Sequence, residues 1–378
     1  MELQHGSFYF EKSSVEAEEI DTINSLPDDC LREIFRRLPI YQRLEIEKVC
    51  KRWKNIAETS WHDLKHLPFL RFSNGKMDSK TINEVQKNPN LIKKIVKRCG
   101  HFLKELKVAT PCDPDVLSKA VNVCPNLNKL TIDVGNIECR TSRCNKKYFL
   151  RKFDLNLERF MKLNYLSLKR FSSESNLLKS IVANQKSLTH LSLFYCKIDS
   201  ENLELITRLI NLEALQVTHS IIDDNWLRKL IDNCRKIRHL DLSHSTFLTD
   251  SSALHLEELR NLESLSIQAS RKITDRSLMN LYRLRELNCS HCERIQDPGV
   301  VKLIRNTNLT FLNVFNTRIT TRTVTEAYVK WLTMGEKAKE IFRIAVCVSV
   351  QSSCRNFREA FLPLDRETTR YENISIFN

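Results

Sequence analysis

Hydrophobic residues return along this chain with two different periods in two different places. The longer pattern is the arrangement Leu-x-x-Leu-x-Leu, seen at Leu188, Leu191 and Leu193, with Cys196 and Ile198 following. Residues two apart share one side of a strand, so Leu191 and Leu193 predict a strand with one buried side. Asp199 then reads as a helix cap and Leu203 as part of a short helix. The second leucine-type position recurs at Leu106, Leu130, Leu166, Leu191, Leu215, Leu240, Leu265, Leu287 and Leu312, with gaps of 24, 36, 25, 24, 25, 25, 22 and 25 residues. One such unit cannot bury its apolar side alone. Stacked copies can, so the spacing predicts a one-dimensional array of about nine units over 99–335. The 36-residue gap is expected to hold an insertion near 134–156.

The shorter pattern covers residues 22–60. Leu31, Ile34, Phe35 and Leu38 fall at i, i+3, i+4 and i+7, one stripe of a helix, after a start signal at Ser25 and Pro27. Pro39 stops that helix. A second segment carries Leu44 and Ile46, and a third carries Val49, Cys50, Trp53, Ile56 and Ala57. Three short helices bury too little apolar surface to stand alone. No Cys/His ligand set lies here, so a protein partner is the expected support. Of the remaining segments, residues 1–21 read as a disordered acidic lead. Residues 61–98 read as a junction burying Trp61, Leu64, Leu67, Phe69, Leu70 and Phe72, with 336–363 as a C-terminal cap and 364–378 as a polar tail. The cap is expected to hold a last strand on Ile344, Val346, Val348 and Val350.

Two resemblances follow from these residues. Leu26-Pro27, Leu31, Ile34-Phe35, Leu38 and Val49-Cys50-Lys51-Arg52-Trp53 resemble the F-box; Gln42-Arg43 departs from it where an acidic residue is common. The repeat, with Cys99, Cys124 and Cys234 preceding three of its strands, resembles the cysteine-containing class of leucine-rich repeats. Together they imply an α/β fold: an N-terminal three-helix F-box, then a right-handed leucine-rich-repeat solenoid with a parallel β-sheet on its concave face and helices on its convex face. They also imply docking onto a Skp-type adaptor and cullin–RING core through Leu26, Pro27, Leu31, Ile34, Leu38, Val49, Cys50 and Trp53.

Composition narrows the chemistry. With 42% hydrophobic and 28% charged residues the chain reads as globular, and its longest apolar run, 341–350, is too short to span a membrane. No secretory leader is read at the start, and thirteen cysteines, an odd number without disulfide-like pairing, point to a reducing compartment, cytoplasm or nucleus. Six glycines form no phosphate loop and no nucleophile elbow, so neither catalytic residues nor a cofactor is expected. Cys139 and Cys144 lack a second ligand pair. Cys289 and Cys292 around His291 fall on the repeat template, so no metal is expected either. The aspartates 199, 223, 250, 275 and 297 recur with Thr320 at helix starts and read as caps. His219, His244 and His291 share one template position and read as turn residues.

The formal net charge is +14, and residues 80–170 alone carry twenty Lys/Arg against eight Asp/Glu. Arg140, Arg143, Lys146, Lys147, Arg151 and Lys152 crowd the inserted segment. This raises an acidic, phosphorylated or nucleic-acid partner. Strand alternation places Tyr165, Lys169, His190, Phe194, His239, Asp241, Phe311 and Phe315 on the open side of the sheet. These are the expected target-binding residues, with Phe311 and Phe315 placed where the C-terminal tail could cover them. The expected function is a non-catalytic substrate receptor of an SCF-type ubiquitin ligase. A basic repeat protein binding nucleic acid and an F-box scaffold without ubiquitination are the rival readings.

Overall fold

The computed structural model describes residues 23–69, 81, 84–85, 88, 90–109, 115–134, 159–171, 177–183, 187–336, 339, 342–346 and 350. The chain divides into two compact units, one ending at Ser60 and one beginning at Trp61. The first holds α1 (Asp28–Arg37), α2 (Ile40–Ile46) and α3 (Lys51–Thr59). Helix α1 follows Pro27, and its charges suit the helix dipole, with Asp28 and Asp29 in the first turn and Arg36 and Arg37 in the last. Leu31, Phe35, Ile56 and Ala57 form the core of this unit, with Leu26, Leu38, Ile46 and Trp53 packed on it. Arg43, at the position departing from the F-box pattern, is buried, and its guanidinium donates to the carbonyls of Ser60 (3.0 Å), Leu38 (3.4 Å) and Arg36. That residue therefore ties the end of α1 to the end of α3.

Among the described residues the second unit holds one parallel sheet of eleven strands in sequential order. The strands are β1 (His66–Phe69), β2 (Glu105–Ala109), β3 (Lys129–Asp133), β4 (Tyr165–Lys169), β5 (His190–Phe194), β6 (Ala214–Val217), β7 (His239–Asp241), β8 (Ser264–Ser266), β9 (Glu286–Asn288), β10 (Phe311–Asn313) and β11 (Arg343–Ala345). All nine leucines of the repeat template sit in one register from Leu106 to Leu312. Each is no more than 1% exposed. Leu130 pairs directly with Leu166, so the long gap adds no strand between β3 and β4; residues 135–158, with the basic cluster, lie outside the described residues.

Two strands extend the sheet beyond those nine. Strand β1 pairs Leu67 with Leu106, so the sheet begins inside the stretch expected to be a junction. Its sequence, His-Leu-Pro-Phe, lacks the repeat signature, which is why the pattern starts one strand late. At the other end β11 pairs Ile344 with Leu312, supplying the last strand, though over Arg343–Ala345 alone among the described residues. Most of the expected cap and all of the tail lie outside the described residues.

Between strands run α4 (Asn90–Cys99), α5 (Asp115–Val123), α6 (Leu177–Ala183), α7 (Ser200–Ile206), α8 (Asp224–Asn233), α9 (Asp250–Ala253), α10 (Asp297–Asn306) and α11 (Thr321–Leu332), with short 3-10 turns replacing or extending them after β7 and β8. Their first turns correct the capping expectation in part. Asp199 and Asp223 do cap, accepting from the backbone N–H of Asn202 and Trp226 at 2.8 Å, and Thr320 caps α11. Thr249 and Thr274 cap the next helical segments in place of Asp250 and Asp275. The carboxylates of Asp224, Asp250 and Asp297 instead reach into the following repeat. Each accepts from the N–H and hydroxyl of that repeat's capping threonine (Thr249, Thr274, Thr320) and from a hydroxyl further on (Ser252, Ser277, Thr323). Asp275 does the same through the N–H of Gly299 at 3.1 Å. A Cβ on Gly299 would lie 2.2 Å from the Asp275 Cβ, so that approach requires glycine.

Candidate functional site

On the helical unit, the residues expected to dock divide into two groups. Leu31 is fully buried in the small core and cannot contact a partner, which corrects its assignment. The mistake has a physical source: Leu31 and Ile34 share one stripe, and a stripe does not say where the core ends. Leu26, Leu38 and Trp53 are half-buried and back that core. Ile34 and Val49 are 37% and 61% exposed, and Ile23 adds a further exposed side chain. Pro27 and Cys50 are also exposed, and the Cys50 sulfur caps α3 by accepting from the Trp53 N–H at 3.4 Å. Arg52 holds the segment before α1 in place: it pairs with Asp28 at 2.7 Å and donates to the carbonyls of Asn24 and Leu26. The Trp53 indole N–H adds a bond to Asn24 at 2.9 Å.

On the sheet, strand alternation produces three lanes on the side away from the leucines, and they differ sharply. The middle lane is closed. Thr131, Ser167, Ser192, Gln216, Asp241, Ser266 and Asn288 are all buried. From β5 to β8 the groups bond to one another and to Ser243 of the neighbouring lane: Ser192 donates to Gln216, Gln216 to Asp241 at 2.8 Å, and Ser243 to Asp241 through both its N–H and its hydroxyl, while the Ser243 and Ser266 hydroxyls lie 2.8 Å apart. Asp241 was expected to meet a target. It is instead fully buried with its oxygens occupied, and burial raises its carboxyl pKa despite the hydrogen bonds from Ser243 and Gln216. Alternation gives the direction of a side chain; the close spacing of parallel strands, about 4.8 Å, decides whether water reaches it.

The outer lanes are open on β3 to β5. Lys129 lies 5.6 Å from the centre of the Tyr165 ring, and Tyr165 is 6.0 Å from His190. In the other lane Lys169 lies 6.0 Å from the Phe194 ring. These groups are half-buried apart from exposed Lys129. Desolvation lowers the pKa of Lys169 and of His190 and pushes the Tyr165 phenol up to about 12. His239 stands two strands from His190 across the methyl of Ala214, half-buried with its Nδ1 unpaired and its pKa lowered by desolvation. Phe311 and Phe315 do not join this group: β10 is five strands from β5, about 24 Å. Phe315 packs edge-on against His291 at 5.5 Å instead.

The group continues past the strand ends in a column that the sequence reading recognised only as histidines. Arg170, Tyr195, His219, His244, Ala269, His291 and Asn316 share one template position, and all have φ between 54° and 65°. The left-handed turn aims the N–H at the next repeat: Arg170 donates to Phe194 O, His244 to Gln268 O, Ala269 to Ser290 O and His291 to Phe315 O, at 2.7–2.8 Å. Non-glycine residues there cost strain, which these bonds offset. The rings in the column stack, Tyr195 on His219 at 3.8 Å and His219 on His244 at 3.9 Å, and Phe194 meets Tyr195 at 4.6 Å. Desolvation, with the neighbouring His244, lowers His219 to about 4, so this imidazole is neutral at pH 7. The signal was present in the sequence as the position two residues after the second inward leucine of each strand.

Six of the described cysteines are structural. Cys99, Cys124, Cys196, Cys234, Cys289 and Cys292 are buried, and Cys289 replaces an inward leucine. Burial pushes the thiols of Cys124, Cys196, Cys234 and Cys292 up to about 12, far from a thiolate nucleophile. Among the described residues no three His, Cys, Asp or Glu side chains converge as metal ligands, and no helix is long and apolar enough to cross a membrane.

With the geometry in place, the chain can be set beside known proteins. Residues 23–65 match the F-box domain model, and residues 155–341 match the model "FBD-associated F-box protein At5g56370, LRR repeats". The F-box/LRR-repeat protein 12 of Homo sapiens, and likewise those of Bos taurus and Mus musculus, is 28% identical over 116 residues, 31% of this chain and 34% of the relative. The match thus spans about a third of those relatives. A crystal structure of the Rad7 and Elc1 complex in yeast shares the fold, with a TM-score of 0.57 at 18% identity over 91% of this chain and 94% of the other.

Proposed function

For a chain that is an F-box module followed by leucine-rich repeats, we propose the role of substrate receptor in an SCF-type ubiquitin ligase. The helical unit docks on a Skp-type adaptor of a cullin–RING core, and the repeat sheet holds the target. The receptor itself does no bond chemistry; it raises the local concentration of a target lysine near a charged conjugating enzyme. The observation that carries this reading is the division of labour within the helical unit. A four-residue core joins α1 to α3 with Ile46 of α2 packed on it, while Ile34 on α1, Ile23 in the 3-10 turn before α1 and Val49 in the turn before α3 stay exposed. These exposed groups, with Pro27 and Cys50, form the docking face, and Leu26, Leu38 and Trp53 support it from behind. The test is co-purification with the adaptor. Ile34→Asp with Val49→Asp should abolish it while circular dichroism stays unchanged, and undiminished co-purification would remove the docking face.

For the target, the open lanes of β3–β5 give Tyr165, Lys169, His190 and Phe194 as the contact group, with His239 at its edge. Phe311 and Phe315 stand apart as a separate surface. Cations packed on rings favour an acidic target. Nucleic acid is disfavoured on the described surface, because the faces of Tyr195, His219 and His244 are already used by one another and leave little platform for a base.

A further inference from the structure

Just beyond the stacked column lies a second lane, one step further out on the rim. In each repeat it is the residue before the buried aliphatic side chain that closes the turn. The buried residues are Ile198, Ile222, Leu248, Ile273, Ile295 and Ile319, each no more than 6% exposed. The lane residues preceding them read Lys197, Ile221, Phe247, Lys272, Arg294 and Arg318. Four of the six are cations, and the second and third are large apolar side chains held in water, Ile221 at 71% and Phe247 at 52% exposure. Tyr195, 43% exposed, borders them from the column. Lys272 lies over the Phe247 ring at 5.5 Å. No fold requirement places them there, since their neighbours do the packing.

The acids of the same rim are engaged elsewhere. Asp199 and Asp223 accept backbone N–H groups, and Asp224 and Asp250 hold the caps of the following repeats. Glu293 pairs with Arg271 at 3.7 Å. The lane therefore offers a cation, two apolar side chains and then three cations. Resting on the receptor reading above, we propose that this rim lane binds an extended acidic segment of the target, with an apolar side chain seated on Ile221 and Phe247 between flanking carboxylates. Lys197 and Lys272 are three strand spacings apart, about 14 Å, and an extended chain brings residues i and i+4 about 13 Å apart on one face. The segment thus carries acidic residues four apart with an apolar residue midway, and a further acidic residue toward Arg294 and Arg318. Main-chain addition is not involved, because strands β5–β10, which precede the lane residues, are each paired on both sides; side chains supply the recognition.

The test is fluorescence anisotropy with the full chain and a labelled peptide Ser-Glu-Ser-Leu-Ser-Glu-Ser-Glu-Ser. A second peptide with every Glu replaced by Lys, and a labelled single-stranded oligonucleotide of the same length, are run beside it. Saturable binding of the Glu peptide alone is expected, weakened about tenfold by Ile221→Ser with Phe247→Ser. Lys197→Glu with Lys272→Glu should reverse the preference toward the Lys peptide. All four positions are exposed, so the variants should keep the thermal midpoint of the parent. Absence of saturable binding, equal binding of the two peptides, preference for the oligonucleotide, or indifference to both double variants would each overturn the proposal. The titration uses no adaptor, so its failure and the failure of the docking face are read separately.

Discussion

The helical unit and the repeat sheet use leucine-type residues in opposite ways. In the sheet, every template leucine from Leu106 to Leu312 is sealed inside, because each is covered by the same residue of the repeats on both sides. In the helical unit there is no neighbouring copy. Leu31 and Ile34, three residues apart on one helix, end up respectively 0% and 37% exposed. Repetition makes burial readable from position alone, whereas a single small unit leaves the edge of its core to be settled by packing.

The comparison can be broken most forcefully in the sheet. Leu166→Asp places a charge among leucines with no partner, and a loss of several kcal/mol, about 4 or more, is expected. Thermal unfolding should show a large drop in midpoint; an unchanged midpoint would mean that the register at β4 is wrong. A smaller but more discriminating effect is expected in the helical unit. Leu31→Asp should melt that unit and remove adaptor binding together, whereas Ile34→Asp should remove binding and leave its helices intact. Hydrogen exchange of α1 separates the two, and protected α1 amides in Leu31→Asp would contradict its placement in the core.

The smallest effect belongs to the closed middle lane. Burial raises the Asp241 pKa in the folded chain above its value in the unfolded chain. Its contribution is then fully present below the unfolded value and is lost as pH rises through the folded one. Asp241→Asn keeps an acceptor for the Ser243 N–H and removes the charge. The parent should lose stability relative to this variant as pH rises above the ordinary carboxylate range in denaturant titrations, and parallel pH profiles would show that Asp241 does not titrate with a raised pKa.

These cases also mark what could be read before the structure. The order and register of nine strands followed from leucine spacing, since stacking leaves the repeat little freedom. Strand β1 escaped because His-Leu-Pro-Phe carries one inward residue of the signature and a proline. Alternation placed Tyr165, Lys169, His190 and Phe194 on the open side of the sheet, where they form two pairs, Tyr165 with His190 and Lys169 with Phe194, one in each outer lane. Asp241 was misjudged because alternation is blind to crowding. Tyr195, Ile221 and Phe247 were missed because they follow the strand, where the side-chain period of two no longer applies. Their positions become visible only when the repeats are aligned on the buried aliphatic residue that closes each turn.

The aspartate contacts between helix starts run in one direction. Asp224 completes the cap around Thr249, Asp250 that around Thr274, and Asp297 that around Thr320. In these repeats the first turn is thus finished by a residue from the repeat synthesised before it, whereas Asp199 and Asp223 cap their own helices. As the chain leaves the ribosome, each of these later repeats meets a preformed acceptor and can fold on it at once, without waiting for the residues that follow. The array is built to grow from its N-terminal end, like masonry in which each course is keyed to the one below.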